Sequence, residues 1–571
     1  MRPTETPVHS KEEEPRWWQR TWLLAAVLFA VLLLNGSGFI FHGHFYEADD
    51  YAANSLQILK AKHFQETVGN YSRFGFHHPG PAFFYVLALG EILFSDLIHL
   101  VPTPFNAQII ALFGLNAFFF SATLALIARR LGVAARVWFL GLALLFAIWH
   151  FGAVGKFYDF IPGGLGLLCP WPPCFTVLPF LCFFVAAASV ASDNGKDMPL
   201  MILTGCFLVH GHVAMPLFIG PLALLAYVAL WLEARRIGAR PWNLFPRQHW
   251  FAVGIIALFL FPIAVNFFAA HPSNLERIVE HVRTRYGEGK GMLQSIFYFV
   301  HFGAYTPYQI YESIPAVETF DARGVGAFLL LHWRVYSLWA GSILFFVLTA
   351  RTAVSVDPAI SKFRKRLGLM MIAATGLSLV WGTIQEGPMF DFNALFIFAI
   401  YYGWLLLVAL SAAAWIANLL SGRPARIRIA SLIVLALAAP IAFQKERRHF
   451  RAAPDEAEQR HFAETVDHAL VLDPAQPKFF NFDWQAGGQT TRVALYLERR
   501  GINWWVREDW PLFFGEEHII RSGKSNQPVP TLSSSFWGLR LPANPLKTEG
   551  DPNAIVLPLT RDYDLVLRPG K

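Results

Sequence analysis

Charge is what this sequence has least of. Only 15% of its 571 residues are Asp, Glu, Lys or Arg, against roughly 25% in a soluble domain. Hydrophobic residues reach 55% and aromatic residues 15%, and the mean hydropathy is +0.40. That balance excludes the three or four soluble domains that length alone would suggest. Cysteine is scarce too, with 4 in the chain, which excludes a disulfide framework. Cys182 and Cys206 fall inside apolar runs; Cys169 and Cys174, in Cys-Pro-Trp-Pro-Pro-Cys, are spaced so that they could pair. A Gly-rich phosphate cradle of the P-loop or Rossmann type is missing. So is a small-residue cleavage site after the first apolar run, 21 to 41, which therefore reads as a signal anchor.

What the chain does have is apolar runs of spanning length, about 20 residues each. They cover 21 to 41, 105 to 128, 134 to 154, 174 to 192, 199 to 214, 216 to 232, 250 to 268, 328 to 350, 367 to 385, 394 to 420 and 429 to 443. The net charge of +7 hints at nucleic acid until its positions are read. The basic residues cluster at the ends of apolar runs, as Arg129, Arg130 and Arg136; Arg235, Arg236, Arg240 and Arg247; Lys362, Arg364, Lys365 and Arg366; and Arg423, Arg426 and Arg428. With the N-terminus cytoplasmic, all of these fall on the inner side. That reading requires 81 to 98 and 292 to 311 to stay at the outer interface or re-enter rather than cross. The expectation is an α-helical polytopic membrane protein of about eleven spans plus outer interfacial helices. Residues 1 to 20 form a cytoplasmic tail and 21 to 443 the membrane domain, with outer loops at 42 to 104 and 155 to 173. Residues 444 to 571, of ordinary soluble composition, form an extracytoplasmic α/β domain.

On this topology the unusual polar residues face outward. Glu47, Asp49 and Asp50 follow the first span directly and precede a helical pattern. An acidic residue there serves equally to cap an interfacial helix. Asp159, near Lys156, supplies a second acidic position in the next outer loop. Arg73, His77 and His78 precede Pro79, Gly80 and Pro81, where the prolines impose an extended backbone. The histidines read either as carbonyl-bonding turn residues or as a donor-rich edge for a phosphate, and His210-Gly211-His212 allows the same pair of readings. The segment 274 to 291 carries Leu275, Ile278, Val279 and Val282 on one helical face, an interfacial helix whose Arg283 and Arg285 reach toward headgroups. Glu386 and Asp391, in a short outer turn, have a minor claim on an acceptor. In the terminal domain, Trp484, Trp504, Trp505, Trp510 and Trp537 read as core before they read as sugar platforms.

An acidic pair after span one, a His-Pro-Gly-Pro box opening an apolar segment, and a second outer acidic loop resemble, in that order, the GT-C membrane glycosyltransferases. These include protein O-mannosyltransferases and the transferases that add aminoarabinose to lipid A. Asp49 and Asp50 hold the place of the family's Asp-Glu pair, and His78-Pro79-Gly80-Pro81 that of its Lys/His-Pro-Pro box, with Asp50 for Glu and Gly80 for Pro.

The resemblance implies transfer of a sugar from a polyprenyl-phosphate donor to a glycan, lipid or protein acceptor at the periplasmic face of a bacterial inner membrane. Such chemistry needs a carboxylate base and cations for the leaving phosphate. Asp49 is the leading base and Asp50 its competitor; Arg73, His77, His78 and Lys156 are the phosphate candidates. Asp159 and Glu47 are candidates for the acceptor or second acidic site, and a divalent ion held by Asp49 and Asp159 stays open. A lipid or polysaccharide transporter, or a non-catalytic envelope scaffold, is the alternative. Transporters, however, bury charge at mid-bilayer and show inverted repeats, neither of which is evident here.

Overall fold

The computed structural model describes residues 17–72, 74–131, 136, 139–140, 170–192, 195–284, 289–304, 322–352, 358–386, 389–419, 456–482, 484–507, 511–520, 534–541 and 554–568. Arg73, Lys156, Asp159, Cys169, Arg285 and Trp510 lie outside them, as do most of run 134 to 154 and all of 429 to 443.

The apolar runs fold as helices, because a backbone surrounded by hydrocarbon must satisfy its own N–H and C=O groups. The first is α1, Trp17–His42, followed by α2, Asp49–Lys62, and α3, Ala82–Gly90. Helix α3 runs on into a π-helical stretch, Glu91–Leu97, and then comes α4, Pro104–Ala128, opened by a proline whose missing N–H costs nothing at a helix start. The series continues with α5, Val177–Val190; α6, Met198–Gly211; α7, Met215–Arg236; α8, Pro246–Ala269; α9, Asn274–Thr284; α10, Met292–Phe302; α11, Ala322–Leu331; α12, Trp333–Thr352; α13, Pro358–Thr383; and α14, Ile397–Leu419.

Among the described residues six helices are long and apolar enough to span, and eight if each bent pair is one span. One bent pair is α11 with α12, which meet at 74°. The count of eleven is therefore not reached among these residues: two of the expected runs lie wholly or largely outside them, and α6 is only 14 residues long. The segments expected not to cross, α3 with its π-helical extension and α10, are indeed short. Helix α8 leaves Trp250, Phe251, Leu258, Phe261 and Phe268 exposed, an apolar surface of the kind a bilayer covers. Helix α9 likewise exposes Leu275, Val279 and Val282.

The basic ends of several helices converge. Arg129 at the end of α4 pairs with Asp197 at the start of α6, and Glu233 near the end of α7 pairs with Lys362 (3.2 Å) and Arg366 (3.5 Å) of α13.

Residues 456 to 568 build a different structure. Helices α15, Glu456–Leu472, and α16, Gly487–Glu498, pack on a sheet of β1, Lys478–Phe482; β2, Trp504–Val506; β3, Ser535–Arg540; β4, Ile555–Pro558; and β5, Asp564–Arg568. The five-stranded order is β2-β1-β3-β5-β4, parallel across β2-β1-β3 and antiparallel across β3-β5-β4. Trp504 and Trp537 are fully enclosed in its core, so neither is a sugar platform. A buried Lys478–Asp473 pair at 2.9 Å, with Trp537 Nε1 donating to Asp473 at 2.8 Å, fixes β1 to β3.

Helix α2 is the plank between the two parts. Its Ile58 and Ala61 enter the apolar core of the bundle, while Ala52 and Leu56 enter the core of the sheet unit. The first turn of α2, which carries the acidic pair, is thereby trapped between them.

Candidate functional site

Asp49 and Asp50 are adjacent but face different surroundings. Asp49 starts α2 with a left-handed backbone, φ 51°, which Asp tolerates better than most residues. Its carboxylate packs against Gly488, the second residue of α16, where the helix dipole favours an anion. Although Asp49 keeps an exposed edge, the protein packed around it and then the Asp50 charge raise its pKa, against a smaller opposing pull from Arg492.

Asp50 instead lines a cavity of about 360 Å³. Its Oδ1 accepts the Tyr71 hydroxyl, and its Oδ2 accepts Trp171 Nε1–H at 2.9 Å. Each oxygen keeps a lone pair, so the carboxylate is held in place while still able to accept a proton. The second outer loop thus reaches the acidic pair through Trp171 of Cys-Pro-Trp-Pro-Pro-Cys, a residue that sequence reasoning passed over. Its signal was a tryptophan flanked by prolines, which immobilise the backbone on both sides.

The histidine box forms the facing wall. Residues 69 to 78 fold back as a short hairpin, Gly69 N–H donating to His78 O and His78 N–H to Asn70 O, both at 2.8 Å, with Gly75 at the turn at φ 82°. The His78 ring lines the Asp50 cavity and stacks on His212 with ring centres 4.7 Å apart. His78 Nδ1 accepts Val213 N–H at 3.1 Å, which leaves the proton of the neutral ring on Nε2. Burial, followed by the neighbouring His212 and His77, holds its pKa well below the ordinary value. His77 Nδ1 bonds Gly69 O at 3.0 Å, and burial lowers its pKa to about 4. Both histidines are neutral near pH 7, because a charged imidazole cannot keep its hydration there; His77 is the carbonyl-bonding turn residue of the two expected readings, while His78 keeps an N–H donor toward the cavity.

His77 also lies apart from Asp50, in a separate cavity of about 190 Å³ with Lys60, Glu66 and Arg277. Those cations are engaged, Arg277 with Glu516 at 2.6 Å and Lys60 with Glu517. Gly80 occupies the box position where a side chain has no room, since a Cβ would lie 2.3 Å from His210 Nδ1.

Glu47, expected near an acceptor, is instead a structural anion. It is 1% exposed and receives a two-point bond from Arg499 of the sheet unit, at 2.6 and 2.9 Å, plus Ser55 Oγ–H at 2.9 Å. Arg499 also pairs with Glu91 of the π-helical stretch at 3.2 Å, and Glu91 with Lys62 at 3.2 Å. Both Glu47 oxygens are thus committed to holding the sheet unit on the bundle.

Around Asp50 the cavity is completed by Asn54, Asn70, Trp381, Gln385, Glu386 and Asn393. Ser72 and Phe74, the sequence neighbours of Arg73, also line it. Among the described residues no group of three His, Cys, Asp or Glu is placed to hold a metal ion. The arrangement offers one fixed carboxylate, one imidazole N–H donor and several amides within a partly aromatic wall, a set suited to moving a proton beside an oxygen-rich ligand.

No family model matches the chain, and no curated protein matches its sequence. Among solved structures, ArnT from Cupriavidus metallidurans in the apo state matches with a TM-score of 0.51 at 13% identity, over 96% of this chain and 97% of that one. The same protein bound to undecaprenyl phosphate matches with a TM-score of 0.51 at 14% identity, over the same shares. Along almost its full length the chain shares the fold of these ArnT structures.

Proposed function

We propose that this protein is a membrane glycosyltransferase that moves a sugar from a polyprenyl-phosphate donor to an acceptor hydroxyl at the periplasmic face of a bacterial inner membrane, with Asp50 as the general base. The observation that carries the reading is the Asp50 carboxylate, anchored by Tyr71 and Trp171 in a cavity whose facing wall holds His78. The fold shared with a protein captured with undecaprenyl phosphate supports the donor class.

In this scheme the acceptor hydroxyl gives its proton to Asp50 as its oxygen bonds to the anomeric carbon. The bond from that carbon to the phosphate oxygen breaks, and the electron pair leaves with the polyprenyl phosphate. Displacement from the opposite side inverts the anomeric configuration. His78 Nε2–H donates to the phosphate without adding charge, and Arg73 supplies the positive charge that develops a use only as the leaving oxygen becomes anionic. Glu386, on the same cavity wall, orients the acceptor. The N-terminus lies in the cytoplasm and the sheet unit in the periplasm, which puts the cavity where nucleotide sugars are absent and a lipid-linked donor is required.

The test is turnover of a polyprenyl-phosphate sugar by purified protein, read as released polyprenyl phosphate. Asp50→Asn is expected to lose about 100-fold or more, the range of a general base, and Asp49→Asn far less. Equal losses in the two variants, or none in Asp50→Asn, would remove Asp50 from the reaction.

A further inference from the structure

Arg492 of α16 is a buried guanidinium with no ion pair among the described residues; Glu458, Glu47 and Asp49 attract it from beyond ion-pair distance. It is 4% exposed. Its Nη2 donates to Gln459 Oε1 at 2.8 Å, an oxygen that also accepts Tyr46 N–H at 2.9 Å, and its Cζ lies 3.9 Å from the centre of the Phe462 ring. Its Nη1 donates to Gln489 Oε1 at 3.5 Å, and its Nε has no hydrogen-bond partner among the described residues. Of the two other arginines nearby, Arg499 is neutralised by the buried Glu47 and Glu91, whereas Arg500 has only a solvent-exposed pair with Asp467 at 3.2 Å, which leaves its charge open to a further anion. Glu458, Glu47 and Asp49 offset part of the cost of burying this charge, and the unpartnered Nε leaves one donor of the guanidinium for an anion from outside the chain.

The room for it is present. A cavity of about 200 Å³ is lined by Arg492, Arg499 and Arg500, with Tyr46 and Tyr496, and is bordered by Pro102, Thr103 and Pro104. Glu47 also lines it, with both oxygens held by Arg499. The cavity shares no residue with that of Asp50. Its borders fix its depth: Pro104 opens the spanning helix α4, and Tyr46 lies four residues beyond the end of α1. This is the level at which headgroups and interfacial tyrosines meet.

We propose that this cavity binds the phosphate of an anionic diacyl lipid from the surrounding leaflet, with Arg492 and Arg500 as its cationic contacts. The lipid then becomes part of the joint that seats the sheet unit on the outer ends of α1 and α4. This inference does not depend on the sugar-transfer reading.

The experiment uses the full-length protein, stripped of lipid in detergent and offered phosphatidylglycerol or phosphatidylcholine, with the bound lipid read by native mass spectrometry. A parallel arm measures thermal stabilisation by inorganic phosphate. Wild type is expected to retain phosphatidylglycerol over phosphatidylcholine by about tenfold or more, the scale of one charge-assisted hydrogen bond, and Arg492→Gln to lose that preference. Arg500→Gln, at a half-exposed position that tolerates change, is expected to reduce the preference by a smaller factor, so a poorly folded Arg492→Gln does not shield the proposal. Equal retention of the two lipids overturns it, as does a preference unchanged in both variants. Stabilisation by inorganic phosphate that phosphatidylglycerol does not compete away assigns the site to a free anion and overturns the lipid assignment.

Discussion

The carboxylate of Asp49 and the α-carbon of Gly488 are packed so closely that a Cβ added to Gly488 would lie 1.4 Å from Asp49 Oδ1. Separated by more than 400 residues in sequence, they form the contact at which the sheet unit touches the acidic pair. Gly488→Ala must push the Asp49 side chain aside, since a terminal carboxylate yields more easily than a helix. The expected loss is about 1–2 kcal/mol in thermal unfolding. Asp49→Gly removes both the obstacle and the left-handed φ of a non-glycine residue. The double variant Asp49→Gly/Gly488→Ala is therefore expected within about 0.5 kcal/mol of wild type. If Gly488→Ala costs the same with and without Asp49, the contact does not hold.

Trp171→Phe keeps the ring but deletes the N–H that holds Asp50 Oδ2 at 2.9 Å. Trp171 acts through Asp50, so its loss blurs the orientation of the base without removing it. On the glycosyltransferase reading, kcat is expected to fall about tenfold with KM within about twofold, because a misaligned base weakens the transition state more than the ground state. Tyr71→Phe, which frees the other oxygen, should behave alike. A rise in KM with kcat untouched would make both residues part of the binding surface instead.

Much of the architecture was legible as composition. Runs without charge became helices, the segments expected at the outer interface begin with helical stretches at 82 to 97 and 292 to 302, and the basic ends of α7 and α13 meet through Glu233. The acidic pair and the histidine box were legible as motifs because each is local in sequence. What could not be read was everything that depends on burial or on distant partners. His77 and His78 allowed two readings, a carbonyl-bonding turn or a donor-rich edge, and only their enclosure decides that both are neutral. Glu47 looked like its acidic neighbours until Arg499 met it, and Gly80 looked like a lapse in a proline box until the His210 ring filled the space beside it. Periodicity carries no information about pairs such as Asp50 with Trp171, which depend on how loops close over the bundle.

The network of Glu47, Glu91, Lys62 and Arg499 allows a sharp comparison between two adjacent arginines. Arg499→Gln leaves two buried carboxylates, both 0% exposed at the side chain, without their shared cation. Breaking a buried pair in this way is expected to cost about 3–5 kcal/mol. Arg500→Gln loses a pair with Asp467 whose side chains are 39% and 51% exposed, together with a hydrogen bond to the Tyr496 hydroxyl and a cation–π contact with its ring, and is expected to cost about 1 kcal/mol. Thermal unfolding of the two variants side by side measures the difference. Comparable losses would mean that Arg499 does not clamp the sheet unit to the bundle.

Acid should destabilise the protein through His77 before most carboxylates are protonated. Its pKa is about 4 in the folded chain and about 6.5 unfolded, the shift coming from burial first and opposed by its bond to Gly69 O. Between those values the unfolded chain binds the extra proton, so stability rises with pH across the window. The contribution is fully present above about pH 6.5 and is lost as pH falls toward 4, a total of about 3 kcal/mol. His77→Asn keeps a donor for Gly69 O but cannot be protonated. In unfolding measurements from pH 7.5 to 4.5, the variant is expected to lose less stability than wild type, the two slopes differing by up to about 1.4 kcal/mol per pH unit. His78, also held neutral by burial, keeps the variant from becoming flat. Identical slopes for wild type and His77→Asn would mean that His77 accepts its proton without leaving its place, and so is not enclosed as the structure has it.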